Sequence, residues 1–147
     1  MAMRILLADD HKLIREALKR FLQSQADVEV VGEATDGVTA VELTEQLHPD
    51  IVVMDVSMPP VLSGLEATRW ICSRWPEIKV IALSMHKHKP YVEEMFKAGA
   101  RGYLLKDADY DELLTAIQTI TQGGIYVSPG VEGRLTESRK QDQRDRR

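Results

Sequence analysis

The sequence predicts an α/β protein built on a parallel sheet with helices on both faces. Short apolar runs recur at residues 4–8 (RILLA), 28–34 (VEVVGEA), 51–54 (IVVM), 79–84 (KVIALS) and 101–106 (RGYLLK), and each reads as a strand. The segments between them carry helical spacing, and Pro49, Pro76 and Gly123-Gly124 punctuate the chain where helices must stop. Strand and helix that alternate in this way call for parallel strands joined by right-handed crossovers.

In order, the first strand stops at Asp9 and Asp10, and a helix follows from about Leu13 with Leu13, Ile14, Ala17, Leu18, Phe21 and Leu22 as its apolar face. After the second strand, Asp36-Gly37 turns the chain into a helix whose candidate core residues are Val38, Val41, Leu43 and Leu47. The third strand is apolar throughout, as a strand buried on both faces must be, and runs into Asp55. A helix from about Gly64 to Trp75 comes next, with Trp70 expected to pack and Trp75 to meet the surface. The fourth strand ends at Ser84, a shorter helix covers roughly 90–98, and Ala98-Gly99-Ala100 permits a tight turn. The fifth strand ends at Lys106. The last helix opens near Asp109, with Glu112 three residues on to complete a capping box, and Leu113, Leu114, Ile117 and Ile120 supply its apolar stripe.

At 147 residues with 44% hydrophobic and 29% charged residues, the chain has the balance of one globular domain. No apolar run reaches the roughly 18 residues of a membrane span, and MAMRILLADD is unlike a secretory signal. The single Cys72 excludes an internal disulfide, fits a reducing compartment and reads as a buried helix thiol. Residues 134–147 hold six Lys/Arg and three Asp/Glu, which leaves 13 basic and 20 acidic residues before them, a net −7. The body, 1–124, is therefore expected to be the folded domain, and 125–147 a mobile linker or tail. Arg134, Arg139, Lys140, Arg144, Arg146 and Arg147 are interspersed with acids and lack aromatics, which suits a solvated linker better than a nucleic-acid surface.

Asp9-Asp10, Asp55, Ser84 and Lys106 all end strands, and a parallel sheet places such ends on one edge. Singly, each has a plain reading: a solvated turn, a helix cap, a strand terminus. Together they make a site. Three carboxylates within several ångströms repel by about a few kcal/mol per pair even at an effective dielectric near 20. Such groups either raise one another's pKa or bind a cation, and a hard divalent ion such as Mg²⁺ is the natural solution. A carboxylate, a cation, a fixed ammonium and a hydroxyl are the parts phosphoryl transfer requires, with Asp55 as nucleophile. An aspartyl phosphohydrolase of the haloacid-dehalogenase type would carry a second Asp two residues after the nucleophile, where this chain has Ser57. No P-loop or G-x-G-x-x-G follows the first strand, and His86 and His88 around Lys87 make a poor metal site.

With its adjacent acids, MDVSMP around Asp55, GLEATR, ALSMH and GYLLKD, the chain from Arg4 to Gly123 resembles the receiver domain of two-component response regulators. The resemblance implies a flavodoxin-like (βα)5 fold with strand order 2-1-3-4-5. It also implies that Asp55 accepts a phosphoryl group from a sensor histidine kinase. Asp10, Asp55 and the backbone carbonyl of Ser57 would hold Mg²⁺, with Asp9 acting through water, and Ser84 with Tyr103 would form the switch pair. Such a protein is a cytoplasmic phosphoacceptor switch and not an enzyme in the ordinary sense; it can pair as a homodimer. Two departures stand out: Asp107 replaces a common proline after the lysine, and MPPVLSG, residues 58–64, is one residue longer than usual. SMHKHKPYV, GARGYLLKDA and GGIYVSPGV resemble the NarL/FixJ branch, whose members bind DNA through a C-terminal helix-turn-helix domain. The chain stops at Arg147 before such a domain, and a truncated transcription regulator is expected, with a stand-alone receiver serving as an interaction module the alternative.

Overall fold

The computed structural model describes residues 2–58 and 63–131. The lengthened part of the 58–64 loop and the basic residues from Arg134 to Arg147 lie outside them. Eleven elements alternate in chain order: β1 (Met3–Ala8), α1 (Lys12–Gln23), β2 (Val28–Ala34), α2 (Gly37–Leu47), β3 (Ile51–Asp55), α3 (Gly64–Arg74), β4 (Lys79–Ser84), α4 (Lys89–Lys97), β5 (Gly102–Leu105), α5 (Tyr110–Thr121) and β6 (Tyr126–Val127). The sheet is parallel throughout in the order β2-β1-β3-β4-β5-β6. The five-strand order expected from the resemblance is thus present, with a short sixth strand added at one edge.

Side-chain alternation along the strands sorts the core into two faces. Ile5, Leu7, Ile51, Val53, Ile81 and Leu83 pack beneath α1 and α5 against Leu18, Leu22, Leu113, Ile117 and Ile120. Leu6, Ala8, Val52, Met54 and Val80 face α2 and α3, where Ala40, Ala67 and Ile71 meet them. A third cluster joins Ala82, Tyr103 and Leu105 to Val92 and Met95 of α4. Each large aliphatic side chain buried here stabilises the fold by about 1.5–3 kcal/mol. β3, central in the sheet, has every residue buried, and this fixes the position of Asp55.

Several expectations need correction. Leu13 is 81% exposed, because α1 presents only Ile14, Leu18, Phe21 and Leu22 to the sheet. Val38 is also exposed, and the buried face of α2 is made by the small residues Gly37, Ala40 and Thr44, which let the helix approach β1 and β2 closely. The two tryptophans exchange roles. Trp70 lies outward beneath the Arg74 guanidinium, 5.2 Å from its ring centroid, while Trp75 packs on the core. In α5 only half of the expected capping box forms. The Asp109 carboxylate accepts the Glu112 N–H at 2.9 Å, but the Glu112 carboxylate turns to the sixth strand, accepting from Ser128 Oγ at 2.7 Å and Tyr126 Oη at 3.1 Å. Ser128 Oγ in turn accepts the Leu105 N–H, and Val131 is buried. Tyr126, Ser128 and Val131 thus pack on the rest of the body.

Other local signals act as expected. Asp36 caps α2 by accepting the Thr39 N–H at 2.8 Å. His48 closes α2 at φ 46°, in the left-handed region, since Pro49 disfavours the right-handed helical region for the residue before it. Gly99 takes φ +113°, and a side chain there would strike Cys72. Burial raises the Cys72 thiol to about 11, which makes it an inert packing group. Among the described residues no helix is long and apolar enough to cross a membrane.

Glu33, at the α1–β2 edge, receives Lys19 Nζ at 2.9 Å and Arg15 Nε at 3.1 Å. These partners, the Lys19 hydrogen bond foremost, hold its pKa below the ordinary carboxylate value. The pair network therefore stabilises the fold above the unfolded-state pKa, and that contribution disappears as pH falls through the lowered folded-state value. In pH-dependent thermal melts, Glu33→Gln is expected to lie below wild type near neutrality and to converge with it in acid.

Candidate functional site

All the strand-terminal polar residues meet at the carboxyl edge of the sheet, because parallel β1, β3, β4 and β5 end there together. Asp55 is the last residue of β3 and Asp9 follows β1; both are 1% exposed. Lys106, just past β5, reaches across the edge with its side chain only 4% exposed, placing Nζ 3.0 Å from Asp55 Oδ2 and 3.5 Å from Asp9 Oδ2. Asp10 stands at the rim with 31% of its side chain exposed. The structure thus brings together the three carboxylates and the ammonium singled out in the sequence.

The backbone holds these groups in place. Asp55 Oδ1 accepts the Ser57 N–H at 3.1 Å, Asp9 Oδ1 accepts the His11 N–H at 2.8 Å, and Arg15 donates to the Asp9 carbonyl at 2.8 Å. Lys106 N–H donates to the Ser84 carbonyl at 2.9 Å, tying the end of β5 to that of β4. The start of α3 presses directly on the phosphoacceptor candidate. Gly64 N–H donates to Val56 O at 3.1 Å, and a Cβ at Gly64 would sit 1.9 Å from the Asp55 carbonyl oxygen. Ser63 caps α3, its hydroxyl accepting the Glu66 N–H at 3.2 Å while Glu66 Oε1 accepts the Ser63 N–H. Gly64→Ala is accordingly expected to displace Asp55 or α3, at about 3 kcal/mol, the upper end of ordinary overpacking costs. Chemical denaturation of the variant beside wild type measures it.

Ser84 and Tyr103 are paired, though not through the carboxylates. Ser84 is buried at the end of β4, and its Oγ accepts the His86 N–H at 3.0 Å. The Tyr103 ring is fully buried, and its hydroxyl donates to the His86 carbonyl at 2.7 Å. Burial raises the Tyr103 pKa, partly opposed by a hydrogen bond with Ser84. The His86 ring stacks on Tyr91 of α4, with centroids 4.1 Å apart and planes 12° from parallel. His86 therefore joins Ser84 and Tyr103 to α4, although sequence reasoning considered it only as a metal ligand.

A divalent cation fits this arrangement. Asp9 Oδ2 and Asp55 Oδ2 are buried and have no hydrogen-bond partner among the described residues, although Lys106 lies within ion-pair reach of both. Carboxylate oxygens desolvated in this way are costly, and an oxygen-seeking ion satisfies them. Asp9, Asp10 and Asp55 could hold it, and His11 joins them, offering one ligand atom each within 4.8 Å of one another. His11 was missed in the sequence, where its only signal was its place directly after the two acids.

Comparison with known proteins finds relatives over most of the chain. Residues 5–118 match the family model described as the response regulator receiver domain. The chain is 46% identical over 132 residues to the transcriptional regulatory protein DegU of Brevibacillus brevis, an alignment covering 90% of this chain and 56% of that protein. It is 40% identical over 127 residues to the oxygen regulatory protein NreC of Staphylococcus carnosus, covering 86% of this chain and 58% of NreC. The chain thus spans little more than half the length of these relatives. Among solved structures, it superposes on a two-component response regulator of the LuxR family from Aurantimonas sp. SI85-9A1 with a TM-score of 0.87 and 36% identity, covering 95% of this chain and 99% of that one.

Proposed function

We propose that this chain, which belongs to the response regulator receiver domain family, is a phosphoacceptor switch in which Asp55 takes a phosphoryl group from a phosphohistidine of a sensor histidine kinase. The observation that carries this reading is the buried Asp55–Lys106 pair at 3.0 Å, flanked by Asp9 and Asp10. An Asp55 carboxylate oxygen attacks phosphorus, the phosphorus–nitrogen bond of the donor breaks, and the imidazole leaves with its electron pair. Lys106 Nζ stands where negative charge accumulates on the transferring group, and the Ser84 hydroxyl would hydrogen-bond one of its oxygens. Asp10, Asp55 and the Ser57 carbonyl would hold Mg²⁺, with Asp9 acting through a water molecule. When bound, that ion neutralises the phosphoryl oxygens. The phosphoryl group stays on the chain, so the reaction is a self-modification and not turnover of a separate substrate.

The same residues supply the switch. A dianionic group on Asp55 draws the Ser84 hydroxyl toward it, away from the His86 N–H it now accepts. The His86 carbonyl holds the Tyr103 hydroxyl, and the His86 ring rests on Tyr91, so displacement of that loop passes to β5 and α4. The exposed face of α4, β5 and α5 is then the output surface, with homodimerisation through it or through α1 and α5. Since the similar DegU is a transcriptional regulatory protein, the output we infer is transcription control, in the cytoplasm, by a full-length protein that binds DNA through a helix-turn-helix domain.

Intact mass after incubation with acetyl phosphate, with and without Mg²⁺, tests the proposal. A gain of one phosphoryl group that requires Mg²⁺ is the expected result. No gain in either condition, with the fold intact and a phosphorylated kinase also inactive as donor, would sink it and leave an interaction module.

A further inference from the structure

We propose that Ser128, held by Glu112, is a positioning residue for phosphoryl acceptance: its hydroxyl fixes the end of β5 and, through it, Lys106. This rests on the reading of Asp55 as the phosphoacceptor and adds to it a residue outside the matched segment 5–118. Lys106 directly follows Leu105, the last residue of β5. Successive N–H groups of a strand point to opposite edges, so the end of β5 can be held from both sides. On one side the Lys106 N–H donates to the Ser84 carbonyl at 2.9 Å. On the other, the Leu105 N–H donates to Ser128 Oγ at 3.0 Å.

A hydroxyl stands there because the neighbouring strand has run out. β6 pairs with β5 only as Gly102 with Tyr126 and Tyr103 with Val127, and the Ser128 N–H donates to the Tyr103 carbonyl at 2.9 Å. A continued parallel ladder would send the Leu105 N–H to the Ser128 carbonyl. The chain turns instead, and that carbonyl accepts the Val131 N–H at 3.0 Å. The Ser128 side chain, on a residue 1% exposed, takes its place. Without it a buried N–H at the end of β5 would lose its partner, which is costly.

The hydroxyl is itself fixed. Its oxygen accepts from Leu105 while its hydrogen goes to Glu112 Oε1 at 2.7 Å. Glu112 lies in the first turn of α5, its own N–H is capped by Asp109, and its Oε1 also receives the Tyr126 hydroxyl at 3.1 Å. Hydrogen bonds to a carboxylate are stronger than neutral ones. The hold matters because Asp107, which follows Lys106, lacks the fixed φ a proline would give the loop. Lys106 Nζ must nevertheless stand 3.0 Å from Asp55 Oδ2.

The test compares Ser128→Ala with wild type on the 147-residue chain. Ile78→Val, a truncation in the core just before β4 and so at the opposite edge of the sheet, controls for lost stability. Two quantities are read: the rate of phosphoryl uptake at saturating acetyl phosphate and Mg²⁺, and the NMR signal of the Lys106 side chain in protein carrying ¹³C-lysine. Ser128→Ala is expected to shift that signal and to slow uptake about ten-fold, within the roughly 10²-fold that a misplacement of about 1 Å can cost. Ile78→Val should do neither. Glu112→Ala should act in the same direction as Ser128→Ala. Glu112→Gln, whose amide oxygen can still accept from Ser128, should keep most of the rate, and this pair decides the matter if Ser128→Ala does not fold. An unchanged rate, slowing without a shift of the Lys106 signal, or equal slowing in Ile78→Val would overturn the role of Ser128 and leave the Asp55 reading standing. Failure of the wild type to take up a phosphoryl group at all would overturn both.

Discussion

Asp55→Asn is expected to abolish phosphoryl uptake from any donor while preserving the fold. An amide at this position keeps the shape of the side chain, and the Ser57 N–H that Asp55 Oδ1 now accepts at 3.1 Å can be accepted by the amide oxygen. What is lost is the nucleophile. Stability should rise. Two unit charges about 4 Å apart interact by about 4 kcal/mol at an effective dielectric of 20. Asp55 faces two acids, Asp9 and Asp10, against the single ammonium of Lys106. Removing its charge relieves two repulsions for one attraction. Intact mass reads the first effect and a thermal melt without divalent cation reads the second.

Lys106→Met is expected to have the next largest effect, of opposite sign on stability. Methionine fills much of the volume of the lysine stem but leaves Asp55 and Asp9, both 1% exposed, without their ammonium partner. Breaking a buried pair by deleting one partner commonly costs about 3–5 kcal/mol. Part of that loss should return on adding Mg²⁺, because an ion in the acid cluster compensates the same carboxylates. Phosphoryl acceptance should not return with it. Loss of one group that stabilises the charge developing in a transition state typically slows a reaction about 10²–10³-fold. Denaturation with and without Mg²⁺, beside the rate of uptake from acetyl phosphate, separates the two roles.

The parts of this molecule that follow from period and position were legible in the sequence. Unbroken apolar runs marked β3 and β4 as buried strands, and chain alternation alone made the sheet parallel, which placed Asp9, Asp10, Asp55 and Lys106 on one edge. The misreadings arise where a helix face is decided by its neighbours. Leu13 fits the apolar spacing of α1 yet is exposed, and of the two tryptophans Trp70, within α3, faces outward while Trp75, at its C-cap, packs on the core. Glu112 had the spacing of a capping residue, yet Tyr126, in a strand of two residues too short to announce itself by pattern, and Ser128 just after it compete for its carboxylate. His11 was missed, and His86 weighed only as a metal ligand, for a related reason. Each acts through a contact between segments distant in the chain: His11 with Lys106, and His86 with Tyr103.

The most direct test of the account asks which atom carries the phosphoryl group. Borohydride reduces an aspartyl phosphate to homoserine with loss of phosphate, so peptide mass mapping of the phosphorylated and reduced protein locates the modified residue. The account predicts homoserine at position 55 alone, formed only when Mg²⁺ and the phosphoryl donor are both present. Conversion at Asp9 or Asp10, or a phosphoryl group that resists reduction and maps to Ser84, would contradict it.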